Sequence, residues 1–352
     1  MHDDSTTRRK DAHLDVCATE EVAPVGNATL FEDVHFLHNA LPEMAVNEVK
    51  LETQLFGKTL KAPLLMTGMT GGTERAQQVN RDLATVAEEF GIAFGVGSQR
   101  AMAEKPELAA TFSVRSVAPT TVIIGNIGVQ QAVTLGVDGV RRLTDAIGAD
   151  GLAVHLNPGQ ELTQPEGDRD FRGGYDIIRR LTRVYGSNLL VKETGCGISP
   201  EVAKRLIECG VTTIDVSGLG GTSWVRVEEL RASGPAREVG SQFSNWGIPT
   251  AVAIASVREA TGLAATLIAS GGLRNGLDVA KALALGADIG GMALPMFRAQ
   301  QQNGVQGVRD AVQMVLMGLR QAFVLTGSRT VGGLRSQKRV IGPTLIRWLA
   351  AL

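Results

Sequence analysis

The sequence has few cysteines, almost no net charge and no long apolar run. Its three cysteines are an odd and small number, so we expect no disulfide framework and a reducing, cytoplasmic location. A formal net charge of −1 leaves no electrostatic footprint for nucleic acid or for an anionic membrane. No segment approaches the roughly 18 apolar residues that span a bilayer. The polar start, MHDDSTTRRKDAH, lacks the apolar stretch of a secretory signal.

What the sequence does have is a composition that can form a large core and a repeated strand pattern. Hydrophobic residues make up 44% of the 352 residues and charged residues 20%, as in a globular enzyme. Eight short apolar segments each run into a cluster of Gly, Ser, Asn, His or Lys, with room for a helix before the next. This rhythm predicts a (β/α)₈ barrel whose active site lies where the strands end. The segments are 63–72, 92–100, 121–128, 153–158, 189–195, 213–223, 266–276 and 289–295.

The barrel is predicted to occupy residues 62–352. Residues 1–61 are predicted to be an N-terminal arm and a β excursion that contribute to an active-site lid, with an arm or loop over 1–28. An insertion above the barrel is expected between 224 and 249, where two tryptophans occur. Amphipathic patterns and caps predict helices over 75–91, 199–210, 276–287 and 305–326.

Two glycine-rich turns close the last two predicted strands. SGGLRNG (270–276) and GGMALP (290–295) lie where barrels of this kind bind phosphate, because glycine lets backbone N–H groups face an anion. The phosphate could belong to a substrate or to FMN. Lys192 ends the fifth strand, where a cation can lie beside an anionic reduced flavin ring.

The fourth strand carries the densest chemistry. His155 and Asn157 share one face by strand alternation, and Gln160 and Glu161 follow on the loop. Glu161 suits Mg²⁺, which is usually held by one or two carboxylates and by phosphate oxygens. Asp168 and Arg169 further along the loop are also consistent with a simple salt bridge.

Basic residues near the N-terminus form a second candidate site. Arg9 and Lys10 fit either a solvated tail or a lid that grips a diphosphate, Arg through paired N–H donors and Lys as a point charge. Ser98, Gln99 and Arg100 would supply a second clamp.

Together, these motifs resemble the type 2, FMN-dependent isopentenyl-diphosphate isomerases. The resemblance rests on RKDAH (9–13), MTGMTGG (66–72), GSQR (97–100), HLNPGQE with EGDRDF (155–171), VKETGCGIS (191–199), DVSGLGGTSW (215–224) and SGGLRNGLDVAKALALGAD (270–288). It implies a (β/α)₈ barrel that uses FMN, Mg²⁺ and NADPH, the last as reductant of FMN. It also implies a homotetramer that acts on a small diphosphate, with reduced FMN as the acid/base.

The resemblance also assigns roles to residues. Catalytic roles fall on Gln160, His155 and Asn157, and the metal ligand is Glu161. Substrate contacts fall on Arg9, Lys10, Ser98, Gln99, Arg100 and Gln160. FMN contacts fall on Thr67, Gly68, Met69, Thr70, Ser98, Asn126, Lys192, Ser217, Thr222, Gly272, Arg274, Ala293 and Leu294. The chain departs from the family pattern at Ala12, where many members are acidic, and at Thr194, where an apolar residue is more usual.

Three other functions are open on the sequence. An FMN-dependent 2-hydroxy-acid oxidase shares the barrel, but it needs a His base and an Arg after the sixth strand, where this chain reads SGLGGTSW (217–224). A nucleotide dehydrogenase would use Cys196 as a nucleophile. A flavin or phosphate sensor without catalysis would need neither a metal ligand nor a cationic clamp.

Overall fold

The N-terminal segment is a helix rather than the predicted loop. The computed structural model describes residues 5–24, 26 and 28–352, so residues 1–4, 25 and 27 of the predicted arm lie outside it. Ser5–Thr19 form helix α1. Its inner face buries Leu14 and Cys17 but also the polar Arg9 and His13. This mixed face has no clear apolar period, which is why the sequence did not indicate a helix.

In the part of residues 1–61 that the structure describes, three short strands precede the barrel: β1 (Val34–Phe36), β2 (Thr53–Leu55) and β3 (Lys58–Leu60). β2 and β3 form an antiparallel hairpin whose Leu55 and Leu60 pack against inward-facing residues of the barrel strands. Lys58 Nζ donates to Asp150 Oδ1 (2.7 Å), just before a barrel strand begins. The hairpin therefore closes the end of the barrel at which the strands begin. Of residues 1–61, which were predicted to contribute to a lid, helix α1 is the part that faces the carboxyl ends of the strands.

The predicted (β/α)₈ barrel is confirmed. Eight parallel strands close in the order β10-β11-β4-β5-β6-β7-β8-β9, and Met292 pairs with Met66 where the last strand meets the first. Inward-facing apolar side chains fill the barrel, as in other barrels of this size. The strands are β4 (Leu64–Met66), β5 (Ala93–Gly95), β6 (Ile123–Gly128), β7 (Gly151–Leu156), β8 (Leu189–Glu193), β9 (Thr213–Asp215), β10 (Thr266–Ala269) and β11 (Ile289–Met292).

Helices follow the strands, and several of them begin at a side-chain cap. Ser199 Oγ accepts from the Val202 N–H (3.3 Å) and Asn275 Oδ1 from the Asp278 N–H (2.9 Å). The helices Trp224–Arg231 and Gly234–Gln242 occupy the predicted insertion. The helices are α2 (Glu74–Phe90), α3 (Arg100–Glu104), α4 (Val129–Ala146), α5 (Pro158–Thr163), α6 (Gly174–Tyr185), α7 (Pro200–Glu208), α8 (Trp224–Arg231), α9 (Gly234–Gln242), α10 (Thr250–Thr261) and α11 (Gly276–Leu285).

The C-terminal part returns to the N-terminal strands. Helix α12 (Leu294–Leu325) is kinked at Asn303 and Gly304, and α13 (Val331–Arg335) precedes β12 (Arg339–Ile341) and α14 (Pro343–Ala351). β12 pairs antiparallel with β1.

In the described part of the chain, no helix is both long and apolar enough to cross a membrane. Among the described residues, four short 3₁₀ helices complete the fold: Phe31–Asp33, Val46–Glu48, Pro106–Thr111 and Gly186–Asn188.

Helix α12 packs directly against the start of α11. A Cβ atom on Gly276 would lie 2.2 Å from the backbone N of Leu319 and 2.2 Å from the carbonyl O of Val315. Backbone atoms of a long helix cannot yield as a side chain can. Gly276 is therefore fixed by this close approach, and it holds the 270–276 turn in place.

We expect Gly276→Ala to lower the free energy of unfolding by about 1–3 kcal/mol, because the methyl group would push the two helices apart. Denaturant unfolding measures the difference. Gly332→Ala is the matched control, since a Cβ there has no heavy atom within 4 Å and the residue lies in helix α13. The control should be neutral or more stable by up to about 1 kcal/mol. Equal stability of the two variants would contradict this account of the packing.

Candidate active site

The strand ends surround two adjoining pockets at the barrel mouth. The first, here called the glycine-lined pocket, lies over the ends of β4 and β8–β11. The second, the cationic pocket, lies between helix α1 and the ends of β5–β8. The two share Gly68, Met69, Lys192, Thr194 and Trp224. One continuous cavity can therefore hold a flat group on one side and an anion on the other.

The glycine-lined pocket is built by backbone segments that approach each other closely. A Cβ on Gly271 would lie 2.1 Å from the Gly218 carbonyl O, and one on Gly272 would lie 2.5 Å from the Gly220 carbonyl O. Both glycines also have positive φ, +104° and +96°. Larger residues are excluded here, so the backbone stays accessible in the way a phosphate cradle requires.

Lys192 lies where the two pockets meet. Its side chain is buried at the end of β8, and Nζ donates to the Glu193 carbonyl O (2.5 Å). Burial lowers the pKa of Lys192, and the carboxylates of Asp215 and Glu193 oppose this shift.

Glu193 shapes the loop that follows Lys192, a role that the sequence did not indicate. Its Oε2 accepts from the backbone N–H groups of Thr194 (2.6 Å), Gly195 (2.6 Å) and Cys196 (2.5 Å). Burial raises the pKa of Glu193 to about 7, and these N–H groups oppose the rise. Thr194, one of the departures from the family pattern, is thereby fixed in the wall of both pockets.

The cationic pocket collects basic side chains from two elements. Arg9 and Lys10 of α1 and Arg100 of α3 all line it. Arg9 lies 3.8 Å from Glu166, nitrogen to oxygen. Burial, and then the charges of Arg9 and Arg100, lower the pKa of Lys10 to about 8. An anion held in this pocket would favour the protonated form of Lys10.

The polar residues after β7 form a connected network. Asn157 Nδ2 donates to Glu161 Oε1 (3.0 Å) and to Gln160 Oε1 (3.2 Å). Glu161 is 5% exposed, and its Oε2 accepts from the Asp168 N–H (2.8 Å). In the described residues, no group of three or more His, Cys, Asp or Glu could hold a metal ion. A metal at Glu161 would therefore take its other ligands from the substrate and from water.

His155 is a neutral group in this network. Burial, followed by the charges of Lys192 and Lys10, lowers its pKa to about 3. Nδ1 lies 2.8 Å from Asn126 Oδ1, so the neutral ring donates from Nδ1 to the amide oxygen. Nε2 is then a hydrogen-bond acceptor, and His155 carries no charge at neutral pH.

The loop beyond α5 is held by Arg169. Its guanidinium donates to the carbonyl O atoms of Glu161, Gln164 (2.9 Å) and Gly167 (3.0 Å). Asp168 accepts from Gln131 Nε2 (2.8 Å) instead. Arg169 therefore braces the backbone around Glu161, and the simpler interpretation of an Asp168–Arg169 salt bridge does not describe the contacts recorded for either residue.

Glu228 joins the lid helix to this network and was missed from the sequence. Its side chain is fully buried on α8, and Oε1 accepts from His13 Nε2 (2.9 Å) and from Gln160 Nε2 (3.0 Å). Arg231 donates to Oε2. Burial acts to raise the pKa of Glu228, but His13, Arg231 and Gln160 lower it overall. The sequence signal that could have identified Glu228 was a charged residue in the predicted insertion, four residues after Trp224.

The structure brings together most of the predicted site residues. Two do not line either pocket. Gln99 is fully buried, with Nε2 donating to the Leu143 carbonyl O (2.9 Å) and Oε1 accepting from the Asn126 N–H (3.0 Å), so its side chain supports β6 rather than facing the cavity. Thr70 is buried behind the mouth, and within the described residues its Oγ1 has no hydrogen-bond partner. Those that line the glycine-lined pocket are Thr67, Gly68, Met69, Lys192, Ser217, Thr222, Gly272, Arg274, Ala293 and Leu294; those that line the cationic pocket are Arg9, Lys10, Gly68, Met69, Ser98, Arg100, Asn126, His155, Asn157, Gln160, Glu161 and Lys192.

Comparison with known proteins gives consistent results. The profile of the FMN-dependent dehydrogenase family matches residues 3–117 and 155–340. The isopentenyl-diphosphate delta-isomerase of Pyrococcus abyssi is 42% identical over 99% of this chain and 95% of its own length. That of Metallosphaera sedula is 44% identical over 98% of this chain and 95% of its own length. Among solved structures, a mandelate oxidase mutant with an FMN adduct superposes with a TM-score of 0.64 at 18% identity, covering 93% of this chain and 95% of its own; this likeness shows the fold alone.

The pKa of Lys10 generates a prediction about anion binding. Since an anion binds the protonated amine best, the affinity of the wild type for inorganic pyrophosphate, relative to that of Lys10→Arg, should be steady below pH 8. Above pH 8 this ratio should fall by up to about tenfold per pH unit as the free wild-type enzyme loses the Lys10 proton, because the arginine stays charged. Calorimetric titrations of both proteins from pH 6.5 to 9.5 measure this. The ionisation of pyrophosphate itself affects both proteins equally, so an identical pH dependence of affinity in the two would contradict the prediction.

Proposed function

This chain belongs to the family of FMN-dependent isopentenyl-diphosphate delta-isomerases, and we propose that it interconverts isopentenyl and dimethylallyl diphosphate by a 1,3-allylic proton shift. The observation that carries the proposal is the junction of the two pockets at Lys192. A phosphate cradle for a cofactor adjoins a cationic pocket that contains Glu161. A C5 diphosphate held by its charged end in the second pocket would extend its carbon chain toward the first.

The glycine-lined pocket fits FMN. Gly271 and Gly272 leave no room for side chains at the cradle, and Lys192 offers a cation at the pocket junction. Bound reduced FMN would supply an acid/base able to exchange protons with carbon without net oxidation. Thr67 and Ser217 at neighbouring strand ends would hold polar edges of the cofactor.

The cationic pocket would bind the diphosphate. Arg9 and Arg100 present N–H groups suited to paired phosphate contacts, and Lys10 contributes a point charge. Glu161, held by Asn157 and braced through its backbone by Arg169, would share Mg²⁺ with the diphosphate oxygens. These contacts fix the charged end and so orient a carbon chain that has few features of its own.

The residues around the carbon chain would position it. Gln160 is fixed between Asn157 and Glu228. Neutral His155 adds no competing charge beside Lys192, because burial keeps its pKa near 3. In this proposal Gln160, His155 and Asn157 contact the substrate and orient it.

The alternative functions fit less well. An oxidase would need a free Arg for the substrate carboxylate after β9, but the nearest one, Arg226, is engaged by both oxygens of Glu229 (2.7 and 2.8 Å). Burial raises the pKa of the Cys196 thiol, which opposes formation of the thiolate that a nucleophile requires.

Three further features belong to the proposal. NADPH would serve as the reductant of FMN. The chain would assemble as a homotetramer in the cytoplasm. Exposed Met314 and Met317 on α12 provide apolar surface for such an assembly, and the three cysteines are unpaired, as expected in a reducing compartment.

Glu161→Gln should reduce isomerase activity roughly 100-fold or more, since the neutral amide is a poor Mg²⁺ ligand, while FMN affinity stays within about twofold. Activity at several Mg²⁺ concentrations and flavin titration measure the two effects. Glu208→Gln, which removes an exposed carboxylate at the end of α7, is the control and should behave as wild type. If Glu161→Gln keeps wild-type activity and Mg²⁺ dependence, the metal assignment is wrong.

One reduction of FMN should support many turnovers, because substrate and product have the same oxidation state. Under anaerobic conditions dithionite should therefore replace NADPH, and solvent deuterium should appear in the allylic product. The decisive measurement is NADPH consumed per dimethylallyl diphosphate formed. A ratio near one would reject the isomerase proposal, and a ratio far below one would reject an oxidase or dehydrogenase.

A further inference from the structure

A second buried carboxylate lies next to Lys192. Asp215 ends β9 in register with Lys192 on β8, and its side chain is 0% exposed. Its Oδ1 accepts from the N–H groups of Ser217 (3.1 Å) and Ser270 (3.1 Å), and the Ser270 hydroxyl donates to it as well (2.7 Å). These donors stabilise a negative charge. Asp215 lines neither of the two pockets, so neither the diphosphate nor the phosphate cradle accounts for it.

A small cavity below the pocket junction links Asp215 to Lys192. It has a volume of about 10 Å³, and both residues line it together with Thr67 and Asn126. This volume is close to that of a single water site. Asp215 and Lys192 are both buried, so bulk water screens their charges from each other less than it would screen a surface pair.

The titratable groups that face Lys192 come from three strands. On β7, His155 is neutral because its pKa is about 3. On β8 itself, Glu193 directs its carboxylate to the backbone N–H groups that follow it. On β9, the charge of Asp215 raises the pKa of Lys192 more than the charge of Glu193 does. Burial lowers the pKa of Lys192 and raises that of Asp215, and each charge opposes the shift of the other.

We propose that Asp215 is a positioning residue that keeps Lys192 protonated while bound FMN is oxidised, so that reduction takes up one proton for every two electrons. With Asp215 present, FMN gains two electrons and one proton and becomes an anion beside an ammonium group that is already charged. Without Asp215, Lys192 begins as an amine, and a second proton enters with the same two electrons. The inference rests on the proposed binding of FMN.

The test is the proton stoichiometry of reduction in the FMN-loaded enzyme. FMN uptake is first measured by absorbance, and the reduction potential is then followed from pH 6.5 to 8.5, with dithionite as reductant. We expect one proton per two electrons in the wild type and two in Asp215→Asn. In each protein, the affinity for reduced FMN can be divided by the affinity for oxidised FMN. Relative to wild type, this ratio should fall in the variant by about tenfold for each unit by which the pH is raised. A purely structural role for Asp215 would lower stability without changing this stoichiometry.

Asp288→Asn is the matched control. Asp288 lies at the other end of the barrel, at the start of β11, where it bonds Arg258 (2.6 Å) and Arg335 (2.8 Å). This variant should lose stability but keep one proton per two electrons. Equal stoichiometry in wild type and Asp215→Asn would overturn the inference while leaving FMN binding intact. If Asp215→Asn does not fold, the wild type still tests the inference, since uptake of two protons there would also overturn it. Failure of the wild type to bind FMN would instead reject the proposed function on which it rests.

Discussion

The active site depends on one buried carboxylate, that of Glu228. It accepts hydrogen bonds from His13 on α1, Gln160 on α5 and Arg231 on its own helix. These residues are far apart in sequence, and Glu228 is the point at which helix α1, the α5 segment that carries Gln160 and Glu161, and the insertion meet. Removing the carboxylate would leave buried donors without an acceptor, which costs more than the bonds contribute when made. The positions of Arg9 and Lys10 depend on this junction, because they lie on the same helix as His13.

Charge balance at the mouth explains how a nearly neutral protein can bind a polyanion. Three cations, Arg9, Lys10 and Arg100, are gathered within one pocket, and Glu166 lies near Arg9 at its rim. If the diphosphate binds there as proposed, its negative charge would offset the mutual repulsion of these cations. Long-range attraction is not needed, in keeping with a formal net charge of −1.

The sequence predicted the barrel because each strand is a short apolar run that ends in small polar residues, and because helix caps such as Ser199 and Asn275 are local signals. It also located most pocket-lining residues, since strand ends converge in any such barrel. It did not predict helix α1, whose buried face includes Arg9 and His13 and so lacks an apolar period. Gln99 was expected to contact the substrate, but its side chain is buried and bonds the backbone of β6 and α4, which the sequence does not show. Glu193 and Glu228 were missed because their partners are backbone groups in a tight loop or side chains from distant segments.

The hairpin of β2 and β3 has a consequence for traffic through the barrel. Leu55 and Leu60 close the far end, so every molecule that reaches the interior must pass through the mouth. Helix α1 lies over the cationic pocket, and the cofactor proposed here would lie against the strand ends below it. If the cofactor and the diphosphate bind as proposed, both enter and leave through this one mouth, and the movement of helix α1 would govern the exchange of the diphosphate beneath it.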